Sequence, residues 1–116
     1  MSTGIVQVQT TVGSEAAATR LGDILVAERL AACVQQVGPV HSTYRWQGAV
    51  ETASEWLLLV KSTEDALPRL LTRIRELHPY QTPEILALPV VAGDPDYLAW
   101  VRNSTGGEKG DAGSEE

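Results

Sequence analysis

Residues 40–61 read VHSTYRWQGAVETASEWLLLVK, and this stretch decides the fold. Val40 to Trp46 is rich in β-branched and aromatic residues. Gln47-Gly48 follows as a hairpin turn, and Val50 to Lys61 returns as a second strand. Two adjacent strands in mid-chain form a hairpin that helices flank on both sides. The returning strand puts Glu55, Leu57, Leu59 and Lys61 on one face and Trp56, Leu58 and Val60 on the other. Apolar residues on both faces fit a central strand, or one whose second face meets another subunit.

Upstream, Ala31 to Val37 (AACVQQV) is a strand that Gly38-Pro39 interrupts before Val40, so one long bent strand is predicted. Before it, Ala17, Leu21, Ile24 and Leu25 recur at helical spacing, giving a helix from about Glu15 to Leu30 with Ser14 as N-cap. Gly22 inside this helix predicts close packing on a neighbour. Ile5 to Thr11 (IVQVQTT) alternates as a first strand. Downstream, Leu67, Leu70, Leu71, Ile74 and Leu77 mark a second helix. Ser62 and Asp65 resemble its capping box, and His78-Pro79 ends it. Glu84 to Val91 is a fourth strand whose Pro89 suits a sheet edge. Asp94 caps a short third helix, Pro95 to Arg102. The order β-α-β-β-α-β plus a C-terminal helix predicts an α+β ferredoxin-like sandwich, with two helices covering one face of a four-stranded antiparallel sheet.

The whole chain has 116 residues, enough for one domain. A chain of this size buries roughly two-thirds of its unfolded surface, enough for a core without staples. One cysteine excludes a disulfide framework and a cysteine-rich zinc module. No apolar run approaches a membrane span, and the first residues lack signal-peptide character, so a soluble cytoplasmic protein is expected. The formal net charge of −6 argues against nucleic acid as a partner. Half of that charge lies in residues 104–116 (STGGEKGDAGSEE), which read as a disordered acidic tail after a domain at 1–103.

Fold alone does not fix function. No nucleotide loop, metal-protease motif, nucleophile elbow or Cys pair is present, and no nucleophile–base pair points to an enzyme. Cys33 lies in the apolar run LAACV, where a buried inert thiol is the simplest role. His41 is a lone strand histidine, and His78 sits at a helix end before Pro79-Tyr80. With Glu84, these are the candidate ligands for copper(II) or another divalent cation. Lys61 is the only lysine before the tail, and is either an anion-binding ammonium or half of an ion pair across the sheet. Tyr44 and Trp46 share one side of the hairpin end, where exposed aromatics most often anchor an interface. The string from Leu77 to Glu84 (LHPYQTPE) is either a rigid connector or a pocket wall.

Together these strings resemble the CutA family of divalent-cation tolerance proteins. The resemblance rests on RLAACV at 29–34, YRWQG at 44–48, Glu51 and Glu55 leading to LVKS at 59–62, HPYQTPEI at 78–85, and GDPDYLAW at 93–100. It runs in order over about residues 5–103. It implies a homotrimer of ferredoxin-like subunits with a part in tolerance to divalent cations, copper especially. The architecture also resembles the PII signalling trimers. That implies clefts between subunits for a small anionic ligand, lined by Trp46, Glu55, Lys61, Tyr80 and Glu84, with a small ligand or a protein as further partner. The chain departs from some relatives at Gln9, Ala53 and Leu77, where a cysteine, an acid and a histidine stand in the pattern. These departures remove a soft ligand.

Overall fold

The computed structural model describes residues 2–107. Seven elements follow in order: β1 (Ile5–Val12), α1 (Glu15–Ala27), β2 (Cys33–Trp46), β3 (Ala49–Thr63), α2 (Leu67–Leu77), β4 (Ile85–Pro89) and α3 (Pro95–Asn103). The sheet order is β2-β3-β1-β4 and every neighbouring pair is antiparallel. The fold is therefore the α+β sandwich read from the element order, with β3 in the sheet interior as expected. Pro89 sits on edge strand β4, where its missing N–H costs no ladder bond.

The two faces of the sheet follow from strand parity. Val6, Val8 and Val12 of β1 and Leu58 and Val60 of β3 point toward α1 and α2. They pack there with Leu21, Leu25, Leu70 and Ile74. The opposite face carries Gln7, Gln9 and Thr11 of β1, whose register partners are Lys61, Leu59 and Leu57 on β3 and, for Gln7 and Gln9, Leu88 and Leu86 on β4. A smaller cluster of Ile5, Leu98 and Val101 fixes α3 at one end of that face.

Gly22 meets its expected neighbour, because a Cβ there would lie 3.2 Å from Val34 Cγ1. The long strand β2 bends as predicted, with a register shift between Val37 and Val40 and a cis Gly38-Pro39 bond. At the hairpin tip Gln47 and Gly48 both take positive φ, 49° and 83°, as a type I′ turn requires.

Several expectations are corrected. Helix α1 stops at Ala27 rather than Leu30. Arg29 adopts φ 59°, Leu30 N–H reaches Leu25 O and Arg29 N–H reaches Val26 O. This is a Schellman stop with arginine in the place usually held by glycine, and buried Leu30 packs in the same core as Leu25. The Ser62–Asp65 capping box does not form. Ser62 is a buried strand residue that donates to Leu30 O at 2.7 Å, and Thr63 Oγ1 accepts from Ala66 N–H instead. Trp56 packs partly buried against the main core. The expected tail begins at Ser104, yet its first residues are held. Thr105 Oγ1 donates to Val101 O, Gly106 N–H donates to Arg29 O, and Arg29 Nε donates to Gly106 O at 2.7 Å. The rest of the expected tail lies outside the described residues.

Candidate functional site

Helix α2 ends where Pro79 follows His78, and the chain then crosses the sheet end as a loop to Glu84. Buried His78 anchors that loop. Tyr80 N–H donates to His78 Nδ1 at 3.2 Å, so the ring proton sits on Nε2, which donates to Thr11 O at 2.8 Å. Burial lowers the His78 pKa below the ordinary histidine value, outweighing the Thr11 carbonyl that raises it. Tyr80 stands at 4.9 Å between ring centroids from His78 and donates its hydroxyl to Glu55 Oε2 at 2.8 Å. Burial first, then the Glu55 hydrogen bond and charge, raise the Tyr80 pKa far above its usual value. Gly13 belongs to this arrangement, since a Cβ there would lie 3.3 Å from the Tyr80 hydroxyl.

Between this loop and the β2–β3 hairpin lies an open cleft of about 890 Å³. Its hairpin wall is set by register. Glu55 pairs with Val40, Ala53 with Ser42, Glu51 with Tyr44 and Ala49 with Trp46, so these share one face. The loop wall is Tyr80 to Glu84, and Thr11 forms part of the floor.

Four of the five predicted cleft residues meet here: Trp46, Glu55, Tyr80 and Glu84. Lys61 does not. It lies on the same strand as Glu55 but six residues on, roughly 20 Å at strand rise. Its Nζ donates to Gln7 Oε1 at 2.6 Å, and among the described residues it forms no cross-sheet ion pair. The four metal candidates also stay apart. His41 is exposed and pairs with Ser54 in mid-hairpin. Cys33 is half-buried, not fully buried, opposite Lys61 and beside the Tyr97 hydroxyl. Glu84 lines the cleft, whereas His78 has both ring nitrogens committed. Among the described residues no group of three or more His, Cys, Asp or Glu side chains is placed to hold a metal ion. The donors present within one subunit therefore do not fit a resident divalent ion.

Sequence reasoning missed Thr11, Ser42 and Gln81 as cleft residues. Parity from Glu55 pointed to Ser42, but nothing local to β1 signals that Thr11 lies under the loop.

The family model for the CutA1 divalent ion tolerance protein matches residues 6–104. This chain belongs to the CutA family. The CutA protein of Thermus thermophilus is 52% identical over 96 residues, covering 83% of this chain and 93% of its own. Its relative in Pectobacterium atrosepticum is 45% identical over 94 residues, covering 81% and 86%. Among solved structures, the Thermus thermophilus protein gives a TM-score of 0.85 at 50% identity over 88% of this chain and 99% of its own. CutA from Xylella fastidiosa gives 0.86 at 39% identity over 89% and 99%. As a CutA protein the chain belongs to a family named for divalent-ion tolerance. CutA relatives carry names that differ in compartment, chloroplastic in rice and periplasmic in Archaeoglobus fulgidus, so family membership does not assign a cytoplasmic location. Among the described residues no helix is long and apolar enough to cross a membrane.

Proposed function

We propose that the protein works as a homotrimer in tolerance to divalent cations, copper(II) in particular, and that one subunit contacts such ions only weakly. The observation that carries the assembly is the uncovered sheet face. Leu86 and Leu88 of edge strand β4 are 54% and 42% exposed, Val37 of the opposite edge is 46% exposed, and half-buried Leu57 and Leu59 lie between. A row of leucines across an otherwise open face is what a subunit contact would cover. The family's name supports the cation role. The scattered His, Cys and Glu side chains support weak contact rather than a tight chelate.

Calorimetric titration of the pure protein with copper(II) tests the metal part. Weak heats without a micromolar plateau are expected, and a tight stoichiometric site would refute weak contact. Light scattering tests the assembly, with three times the 12.5 kDa subunit mass expected.

In the alternative of a PII-like module for a small anion, Lys61 is bonded to Gln7 away from the cleft and Arg45 is the cation in the lining. Two carboxylates, Glu55 and Glu84, line the cleft beside it, so the lining favours an anion less than the resemblance implies.

A further inference from the structure

We propose that the loop from Pro79 to Pro83 is a pH-sensitive latch, tied down by a neutral His78 ring and released when that ring takes a second proton. The latch needs neither a bound metal nor a second subunit.

Side chains alone hold this loop. Among the described residues, no backbone–backbone hydrogen bond is made by residues 79–83. The ties are Tyr80 N–H to His78 Nδ1 at 3.2 Å, the Tyr80 hydroxyl to Glu55 Oε2 at 2.8 Å, and the Arg75 guanidinium to Gln81 O at 3.2 Å. His78 is 8% exposed, and its Nε2 donates to Thr11 O at 2.8 Å. Nε2 must carry a proton, because a carbonyl cannot donate. Nδ1 must lack one, because an amide N–H cannot accept. A second proton can go only to Nδ1, where it faces the Tyr80 N–H, donor against donor. The amide then loses its acceptor, and a charged ring stays buried with one N–H unpaired. Swinging the loop outward relieves both, and draws the Tyr80 hydroxyl away from Glu55. The main core contains no residue of 78–83, so this movement leaves it closed.

The groups around the ring agree with this direction. Burial is the largest influence on His78 and disfavours the second proton. Arg75 of α2 disfavours it too, while Glu55 of β3 and the Thr11 carbonyl favour it. Strands β1 (IVQVQTTV) and β4 (ILALP) bring no ionisable side chain. Tyr80 is the titratable group of the loop itself, and Glu84 follows the loop directly. Burial and Glu55 raise the Tyr80 pKa, so its hydroxyl stays a donor throughout. Histidine is the side chain that changes its hydrogen-bonding role near neutral pH. The loop is therefore tied above the ordinary histidine pKa, and release grows as pH falls below it.

Residue-resolved amide hydrogen exchange of the full chain at about pH 7.5 and about pH 5.5 tests the latch, with each rate referred to its intrinsic rate as a protection factor. The Tyr80 amide should be protected about tenfold less, or weaker still, than the Val60 amide of central strand β3, because the loop opens without the core. Its protection factor should fall several-fold, up to about tenfold, between the two conditions. His78→Asn keeps an acceptor for the Tyr80 N–H, His78→Gln keeps a donor toward Thr11 O, and neither side chain titrates. In both variants the Tyr80 protection factor should be the same at the two pH values. An unchanged factor in the unsubstituted chain, a fall that persists in both variants, or one common factor for Tyr80 and Val60 would overturn the latch. NMR titration of the His78 ring in the unsubstituted chain gives a reading that needs no variant. Its pKa should lie below about 6.5, and a value at or above that overturns the latch as well.

Discussion

At the residue scale, single polar groups decide how the loops and strands are locked. Ser62 was legible as a helix cap but is a buried strand residue bonded to Leu30 O. Replacing Ser62 by Ala leaves that buried carbonyl without its donor, and about 1–3 kcal/mol of stability should be lost in chemical denaturation. Loss of less than a few tenths would mean that water replaces the hydroxyl. His78 gives a pH signature. Its folded pKa lies below the unfolded value, so the unfolded chain binds the proton more readily. The contribution of His78 is complete above about pH 6.5 and falls as pH drops from there toward the depressed folded value. Melting temperature should therefore decline from pH 7 to pH 5.5, and His78→Gln should flatten that decline. An unchanged slope would exclude His78 as its source. The cleft was only partly legible at this scale. Trp46, Tyr80 and Glu84 stood out as unusual types in unusual strings, whereas Thr11 carries no local mark because a distant loop covers it.

At the element scale, the boundaries moved where backbone chemistry outside the apolar pattern took over. Periodicity extended α1 to Leu30, but Leu30 is apolar because it closes the Schellman turn onto the core, not because it is helical. Arginine at the positive-φ position hid the stop, since glycine is the expected signal there. The two packed glycines make a contrasting pair. A Cβ on Gly38 would overlap the Trp56 ring, so Gly38→Ala should cost about 1–3 kcal/mol by forcing the indole aside. On Gly22 the new methyl would press Val34 Cγ1 at 3.2 Å, while the helix would gain about 1 kcal/mol of propensity. Gly22→Ala should therefore change stability by less than 1 kcal/mol. Denaturant midpoints of the two variants measured side by side check the contrast, and equal losses would contradict it.

At the scale of the whole molecule, the open sheet face is the surface that a neighbouring subunit would cover. Leu86 and Leu88 lie on one edge strand at alternate positions, opposite Gln9 and Gln7 of β1. In the proposed trimer, Leu86→Glu together with Leu88→Glu should bring the mass in light scattering from three subunits to one, because two carboxylates would need burial without partners. The fold of the subunit should persist by circular dichroism, since neither leucine belongs to the core of α1, α2 and the sheet. A trimer that survives both changes would place the contact elsewhere.

Sequence by itself determined the order of the elements, the central place of β3 and the edge place of β4. Those depend on periodicity, prolines and turn residues, which act within a few positions of the chain. It also determined family membership, because strings such as HPYQTPEI at 78–85 are specific in combination. Only the tertiary structure decided which candidates meet. It joined Glu55 to Tyr80, 25 positions apart, and left Lys61 with Gln7. Parity names the face of a strand that a residue occupies, but the position along that face, and what folds over it, comes from long-range packing.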